Sequence, residues 1–114
     1  MKWIKVTSVM PENNRITKVK VANKNICLVM HEKELRAFTS NCPHAGADLS
    51  HGWCDKGYLV CLVHRYQYNL ENGRGAEGQG DYLKIYPTEI RTDGIYIGLE
   101  KPWWSFFARF FKEN

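Results

Sequence analysis

The sequence predicts an all-β sandwich or barrel, and two observations carry that prediction. Short runs of alternating apolar and polar residues recur along residues 2–99, and the gaps between them carry turn chemistry. The chain has neither an internal repeat nor a nucleotide-binding glycine fingerprint, so the strands are not read as units of a repeat array or of a dinucleotide fold.

The elements follow in order. Residues 1–5 enter a strand-like alternation at once. Residues 15–22 alternate, with Ile16, Val19 and Val21 among polar neighbours and one shift of register. Asn23-Lys24-Asn25 is a turn signal, and residues 26–31 read as the next strand. A turn at His31-Glu32-Lys33-Glu34 leads to a strand at residues 35–39. Residues 58–60 and 66–70 read as short strands on either side of a loop, and Asn72-Gly73 is a tight-turn signal. Gly73, Gly75, Gly78 and Gly80 make a flexible stretch up to Asp81. Strands are expected at residues 82–86 and 89–92, and Asp93-Gly94 turns the chain into a last strand at residues 95–99.

The 114 residues suffice for one domain with a modest core. The net charge of +4 is spread along the chain, without a basic run dense enough for nucleic acid, and reads as a solvated surface with a weak preference for acidic partners. No apolar signal-peptide core follows Met1, and no segment is long enough to span a bilayer. A reducing cytoplasm is therefore the expected compartment. Of the four cysteines, Cys27 lies in the apolar run Ile26-Cys27-Leu28-Val29-Met30 and reads as a small buried hydrophobe. Cys54 reads as structural, with a redox-active thiol as the alternative.

The remaining two cysteines sit in Cys42-Pro43-His44 and Cys61-Leu62-Val63-His64, separated by sixteen residues. Each half offers one thiolate and one imidazole. This order suits a two-iron cluster with chemically different ends, because each half can give its Cys to one iron and its His to the other. Tetrahedral zinc is the competing reading of two Cys and two His. Zinc fingers, however, place both Cys before both His and put the His on a helix, whereas here each half is mixed and its surroundings read as strands.

With their flanks, Cys42-Pro43-His44-Ala45-Gly46-Ala47-Asp48-Leu49 and Cys61-Leu62-Val63-His64-Arg65-Tyr66-Gln67-Tyr68-Asn69 resemble the two cluster loops of the Rieske ferredoxin family. The resemblance spans about residues 2–99 and is tight at the loops. It implies a Rieske-like β base (residues 1–101) with a small inserted cluster-binding subdomain at about residues 41–69. It also implies one [2Fe–2S] cluster per chain, Cys42 and Cys61 holding the inner iron and His44 and His64 the outer, partly exposed one. Cytochrome bc-type members join their loops by a disulfide, at positions that are Ala47 and Val63 here, so the likeness is closer to the soluble ferredoxins of oxygenase systems.

Three departures from the family pattern bear on tuning. Tyr66 stands where high-potential members have a Ser, while Tyr68 keeps the phenol two positions on. Loss of one sulfur hydrogen bond and retention of the other are expected. The midpoint is then placed in the lower half of the Rieske range of about −150 to +300 mV, and a titration midpoint above about +150 mV would refute that placement. Arg65 stands where the family usually has Gly, costly if the backbone there needs a positive φ. It either sets a cation beside the outer iron for an acidic partner or points into solvent, and the second is favoured. The glycine-rich segment replaces prolines that shield the cluster in other members.

Residues 102–111, Pro-Trp-Trp-Ser-Phe-Phe-Ala-Arg-Phe-Phe, form the second unusual feature. Pro102 suits the first turn of a helix. On a helical wheel the six aromatics share an arc of about 160°. The 102–114 tail therefore reads as a short amphipathic helix. It folds back on its own domain, contacts a dimer or redox partner, or lies shallowly in a membrane interface.

By resemblance the chain is a one-electron carrier. It takes an electron from a flavin-dependent reductase and passes it to an oxygenase or other redox acceptor, with His44 and His64 at the exit. It is not an oxygenase by itself. A catalytic subunit needs a further mononuclear iron held by two His and a carboxylate, and only His31 and His51 remain, unpaired in sequence. The alternative is a small accessory subunit of a larger reductase, such as nitrite reductase, that uses the fold for assembly.

Overall fold

The computed structural model of the chain describes residues 1–44 and 46–99. The aromatic tail, and with it the expected C-terminal helix, lies outside the described residues. In chain order the strands are β1 (Lys2–Thr7), β2 (Thr17–Val21), β3 (Lys24–His31), β4 (Glu34–Thr39), β5 (Trp53–Asp55), β6 (Tyr58–Val60), β7 (Gln67–Asn69), β8 (Ile85–Tyr86), β9 (Thr88–Arg91) and β10 (Gly94–Leu99). A single 3₁₀ turn, Leu49–His51, stands between β4 and β5.

Among the described residues these strands form three antiparallel sheets. The base contains a three-stranded sheet of order β1-β10-β9 and a four-stranded sheet of order β2-β3-β4-β8. The third sheet, β5-β6-β7, falls within the predicted subdomain of residues 41–69. Strand β3 is the hinge of the packing. Ile26 and Leu28 face a base core shared with Val21, Ala37, Tyr86, Ile97 and Leu99. Cys27 and Val29 face the opposite way, into a core with Phe38, Cys42, Leu49, Leu59, Cys61, Tyr68, Leu70 and Leu83. Successive strand residues point to opposite faces, so a strand covered on both sides reads as a continuous apolar run. Cys27 is fully buried, as its sequence context predicts.

Tight turns set the registers. Val21 pairs with Lys24, His31 with Glu34 and Asp55 with Tyr58, each across a two-residue loop. The loop residues Ala22-Asn23, Glu32-Lys33 and Lys56-Gly57 all have left-handed φ, between 48° and 87°. That is the type I′ geometry that matches the strand twist. The first turn thus sits one residue earlier than the Asn23-Lys24-Asn25 signal, because Lys24 and Asn25 already pair in β3.

Two further elements differ from expectation. Residues 82–86 do not form one strand. Tyr82 bridges Arg74, the Lys84 carbonyl accepts from Thr39 N at 3.1 Å, and only Ile85–Tyr86 joins the four-stranded sheet. The chain crosses there from one sheet to the next. The glycine-rich segment is also pinned rather than open. Gln67 N donates to Gln79 Oε1 at 3.0 Å and Gln79 Nε2 donates to Gln67 O at 3.1 Å, so one carboxamide reproduces a strand-like pair.

Candidate metal centre

The first loop leaves β4 and is closed by its own backbone. Cys42 N donates to Ala47 O at 2.9 Å, Gly46 N to Cys42 O at 2.8 Å, and Leu49 N to Ser40 O at 2.7 Å. Asp48 then starts the 3₁₀ turn. Its Oδ1 accepts from Ser50 N at 2.9 Å and Ser50 Oγ at 2.7 Å, and its Oδ2 from Lys18 Nζ on β2 at 2.5 Å. These donors, the Lys18 ammonium foremost, hold the Asp48 carboxyl well below the usual carboxylate range. The loop is thereby tied to the base sheet at its exit.

The second loop joins β6 to β7, and Cys61 N donates to Tyr66 O at 2.7 Å across it. His64 and Arg65 sit at its tip with φ of 59° and 55°. The backbone at Arg65 therefore does take the conformation that Gly adopts freely and that costs other L-residues roughly 1–2 kcal/mol. The Arg65 side chain is exposed.

The four candidate ligands meet in two pairs. Cys42 and Cys61 are 2% and 0% exposed and share one core. Burial raises the Cys61 thiol, the backbone at Val63 pulls it down, and the neighbouring Cys42 adds to the rise, so a metal must displace a firmly held proton. His44 and His64 are exposed, edge to face, with ring centroids 5.6 Å apart. Among the described residues no three His, Cys, Asp or Glu side chains converge as the ligands of one ion would. Buried thiols at one end and exposed imidazoles at the other suit two irons with different donors better than one tetrahedral zinc.

The surroundings sort the other candidates. Ala47 and Val63 both pack as apolar residues against the same core. None of the four cysteines is in a disulfide. Cys54 is half-buried on β5 and burial pushes its thiol up to about 11, the mark of an inert thiol rather than a reactive one. Tyr66 stacks flat on His44, centroids 3.9 Å apart and planes 12° apart. Tyr68 is fully buried with its hydroxyl 3.5 Å from Cys42 Sγ. His51 is exposed at the end of the 3₁₀ turn.

Three residues that position the site carried no decisive sequence signal. Asp48 was visible only as a flank of the first loop, although an Asp two residues before a Ser is a capping signature. Asp81 accepts a hydrogen bond from the Tyr68 hydroxyl at 3.1 Å. His31 is not the simple turn residue its context predicts. It is 7% exposed, its Nε2 accepts from Gly57 N at 2.8 Å, and its Nδ1 lies 2.6 Å from Asn14 Oδ1. Since an amide N–H can only donate, the ring is the Nδ1–H tautomer, donating to Asn14. It clasps the β5–β6 turn to the base. Both ring nitrogens of His31 are thus engaged. Among the described residues no helix is long and apolar enough to cross a membrane.

Known proteins resemble this chain in sequence and in fold. The family model of the Rieske [2Fe–2S] domain matches residues 2–87. The ferredoxin component of the alkene monooxygenase system of Xanthobacter autotrophicus is 30% identical over 81 residues, covering 70% of this chain and 66% of that protein. The ferredoxin component of the naphthalene 1,2-dioxygenase system of Pseudomonas aeruginosa is 27% identical over 101 residues, covering 86% and 96%. The ferredoxin of carbazole 1,9a-dioxygenase from Nocardioides aromaticivorans superposes with a TM-score of 0.77 at 16% identity, over 88% of this chain and all of that one, and so shares the fold. The chain belongs to the Rieske [2Fe–2S] domain family, and its cofactor is a Rieske-type [2Fe–2S] cluster.

Proposed function

We propose that the chain is a one-electron carrier, a Rieske ferredoxin that moves electrons from a flavin-dependent reductase to an oxygenase or other redox protein. The observation that supports it best is the division of the candidate donors, two buried thiols behind two exposed imidazoles. When bound, the cluster supplies a site for a single electron. Cys42 and Cys61 would hold the inner iron, where the core of Leu49, Leu59 and Tyr68 keeps water away. His44 and His64 would hold the outer iron at the exposed tip, which shortens the path to a docked acceptor. Tyr66, stacked on His44, covers one face of that imidazole and holds its plane. The related ferredoxin components of oxygenase systems support the choice of partners.

In this reading residues 1–101 form one domain, residues 102–114 are an aromatic tail that follows it, and the compartment is the cytoplasm. The test is EPR of the dithionite-reduced protein purified without air, with iron and zinc assayed on the same sample. A rhombic Rieske-type signal with two irons per chain is expected, absent in Cys42→Ser and in His64→Ala. Zinc with a silent spectrum would overturn the reading. Reduction of the isolated protein by a flavin reductase then tests the carrier role directly.

A further inference from the structure

We propose that Asp81, which lies outside both ligand loops, tunes the centre by competing with Cys42 Sγ for the single proton of the Tyr68 hydroxyl. The inference deepens the carrier reading and rests on it. Tyr68 Oη lies 3.5 Å from Cys42 Sγ and 3.1 Å from Asp81 Oδ2. A phenol has one hydrogen to donate. A protonated Cys42 thiol can itself donate to Oη, and the three groups then form a relay ending at the carboxylate. A metal-bound thiolate can only accept, so Tyr68 must divide one hydrogen between sulfur and carboxylate. The carboxylate is the stronger acceptor and the nearer one.

The competitor is held in place. Asp81 is half-buried, and its Oδ1 lies 3.4 Å from Gln79 Nε2. Gln79 is in turn fixed to both backbone groups of Gln67, the neighbour of Tyr68. Asp81 O accepts from Gly75 N at 3.1 Å. The glycine-rich segment therefore delivers a carboxylate onto the phenol that faces the sulfur. Hydrogen bonds to cluster sulfurs raise the potential, as does removal of nearby negative charge. Asp81 lowers it on both counts.

The experiment is a potentiometric titration, followed by EPR and visible absorbance, of the parent protein, Asp81→Ala, Asp81→Asn and each of these combined with Tyr68→Phe. Asp81→Ala is expected to raise the midpoint so that the reduced-to-oxidised ratio at the parent midpoint increases about tenfold, about 59 mV for one electron. Asp81→Asn, which keeps shape and a weaker acceptor, is expected to move it the same way by less. In the Tyr68→Phe background most of the shift should vanish, because the cycle isolates what passes through the phenol. An unchanged midpoint in a variant that retains the Rieske signal would overturn the proposal. So would an equal shift in both backgrounds, which would make Asp81 a through-space charge only. Absence of the signal in the parent protein would instead overturn the carrier reading, and the inference with it.

Discussion

Replacing His31 with Ala tests whether the cluster subdomain is held to the base by a polar clasp. The His31 ring lies where β3 ends and reaches the Lys56-Gly57 turn of the third sheet. Removing it deletes two hydrogen bonds, at 2.6 Å to Asn14 and 2.8 Å from Gly57. The bond to Asn14 contributes about 1 kcal/mol net, and leaving the Gly57 N–H without its acceptor costs about 1 kcal/mol, the low end of a 1–3 kcal/mol penalty, because Gly57 is half-buried and water can reach it. Loss of the packed ring adds about 1 kcal/mol. The sum is about 3 kcal/mol, which for a domain near this size lowers the melting temperature by about 12 °C or more. The assay follows thermal unfolding of the loaded protein at one scan rate, by far-UV circular dichroism and by visible cluster absorbance. The clasp joins the cluster sheet to the base, so the visible signal is expected to fall at or before the far-UV signal. His31→Gln, which can still accept and donate, should recover part of the loss. A His31→Ala protein within about 1 kcal/mol of the parent, with both signals unmoved, would refute the reasoning.

Asp48→Ala is expected to lose about 1 kcal/mol from the cap on the 3₁₀ turn. Asp48→Asn, which can still cap, should lose only what the pair with Lys18 contributes. That is under about 1 kcal/mol, because the two side chains are 31% and 36% exposed. The native carboxyl is depressed, so its contribution is complete above the unfolded value of about 3.9 and fades as pH falls below it. The gap between parent and Asp48→Asn in urea melts should therefore narrow below about pH 4, and a constant gap from pH 7 to pH 3 would contradict the assignment. Gly73→Ala should be poorly tolerated, since its Cβ would sit 2.0 Å from Leu83 O at a φ of +80°. A loss of about 3 kcal/mol or more is expected. Gly78→Ala, at φ +92° but with nothing within 4 Å, should cost only about 1 kcal/mol, and equal losses in the two denaturation curves would argue against the steric account.

What was legible in the sequence was local. The run Ile26-Cys27-Leu28-Val29 announces a buried strand because both its faces are covered, and the two mixed Cys/His halves announce a metal because the ligand chemistry is contained in each loop. What was illegible depends on contacts distant in sequence. His31 meets Asn14 and Gly57, 17 and 26 residues away, and turn chemistry alone describes only its neighbours. Strand β5 has three residues and too little alternation to register, and it exists because Cys54 pairs with Leu59. Glu32 and Lys33 hold a left-handed turn without Asn or Gly, a case where the pairing of β3 with β4 overrides residue preference. The glycine-rich segment reads as flexible by composition, yet one glutamine side chain far along it supplies the missing ladder.

The expected potential in the lower half of the Rieske range rests on Tyr66, which departs from the family pattern, and on Tyr68, which keeps the phenol, and the structure gives each a separate setting. Tyr66 cannot supply the hydrogen bond of the Ser it replaces while its ring is stacked flat on His44, which turns it toward the exposed end. Tyr68 does face Cys42 Sγ, but at 3.5 Å and with a carboxylate on its other side. On the proposed reading one sulfur hydrogen bond is lost to geometry and the other is weakened by the competition of Asp81. The same two tyrosines divide the remaining work. Tyr68, fully buried, acts on the inner end, where no partner can reach it. Tyr66, half-buried beside an exposed imidazole, lies where an acceptor would dock on the proposed reading. Driving force and partner contact are thus set by different residues on one short strand and the loop before it. A substitution on the outer face can change the partner without moving the potential, and one behind the thiols can do the reverse.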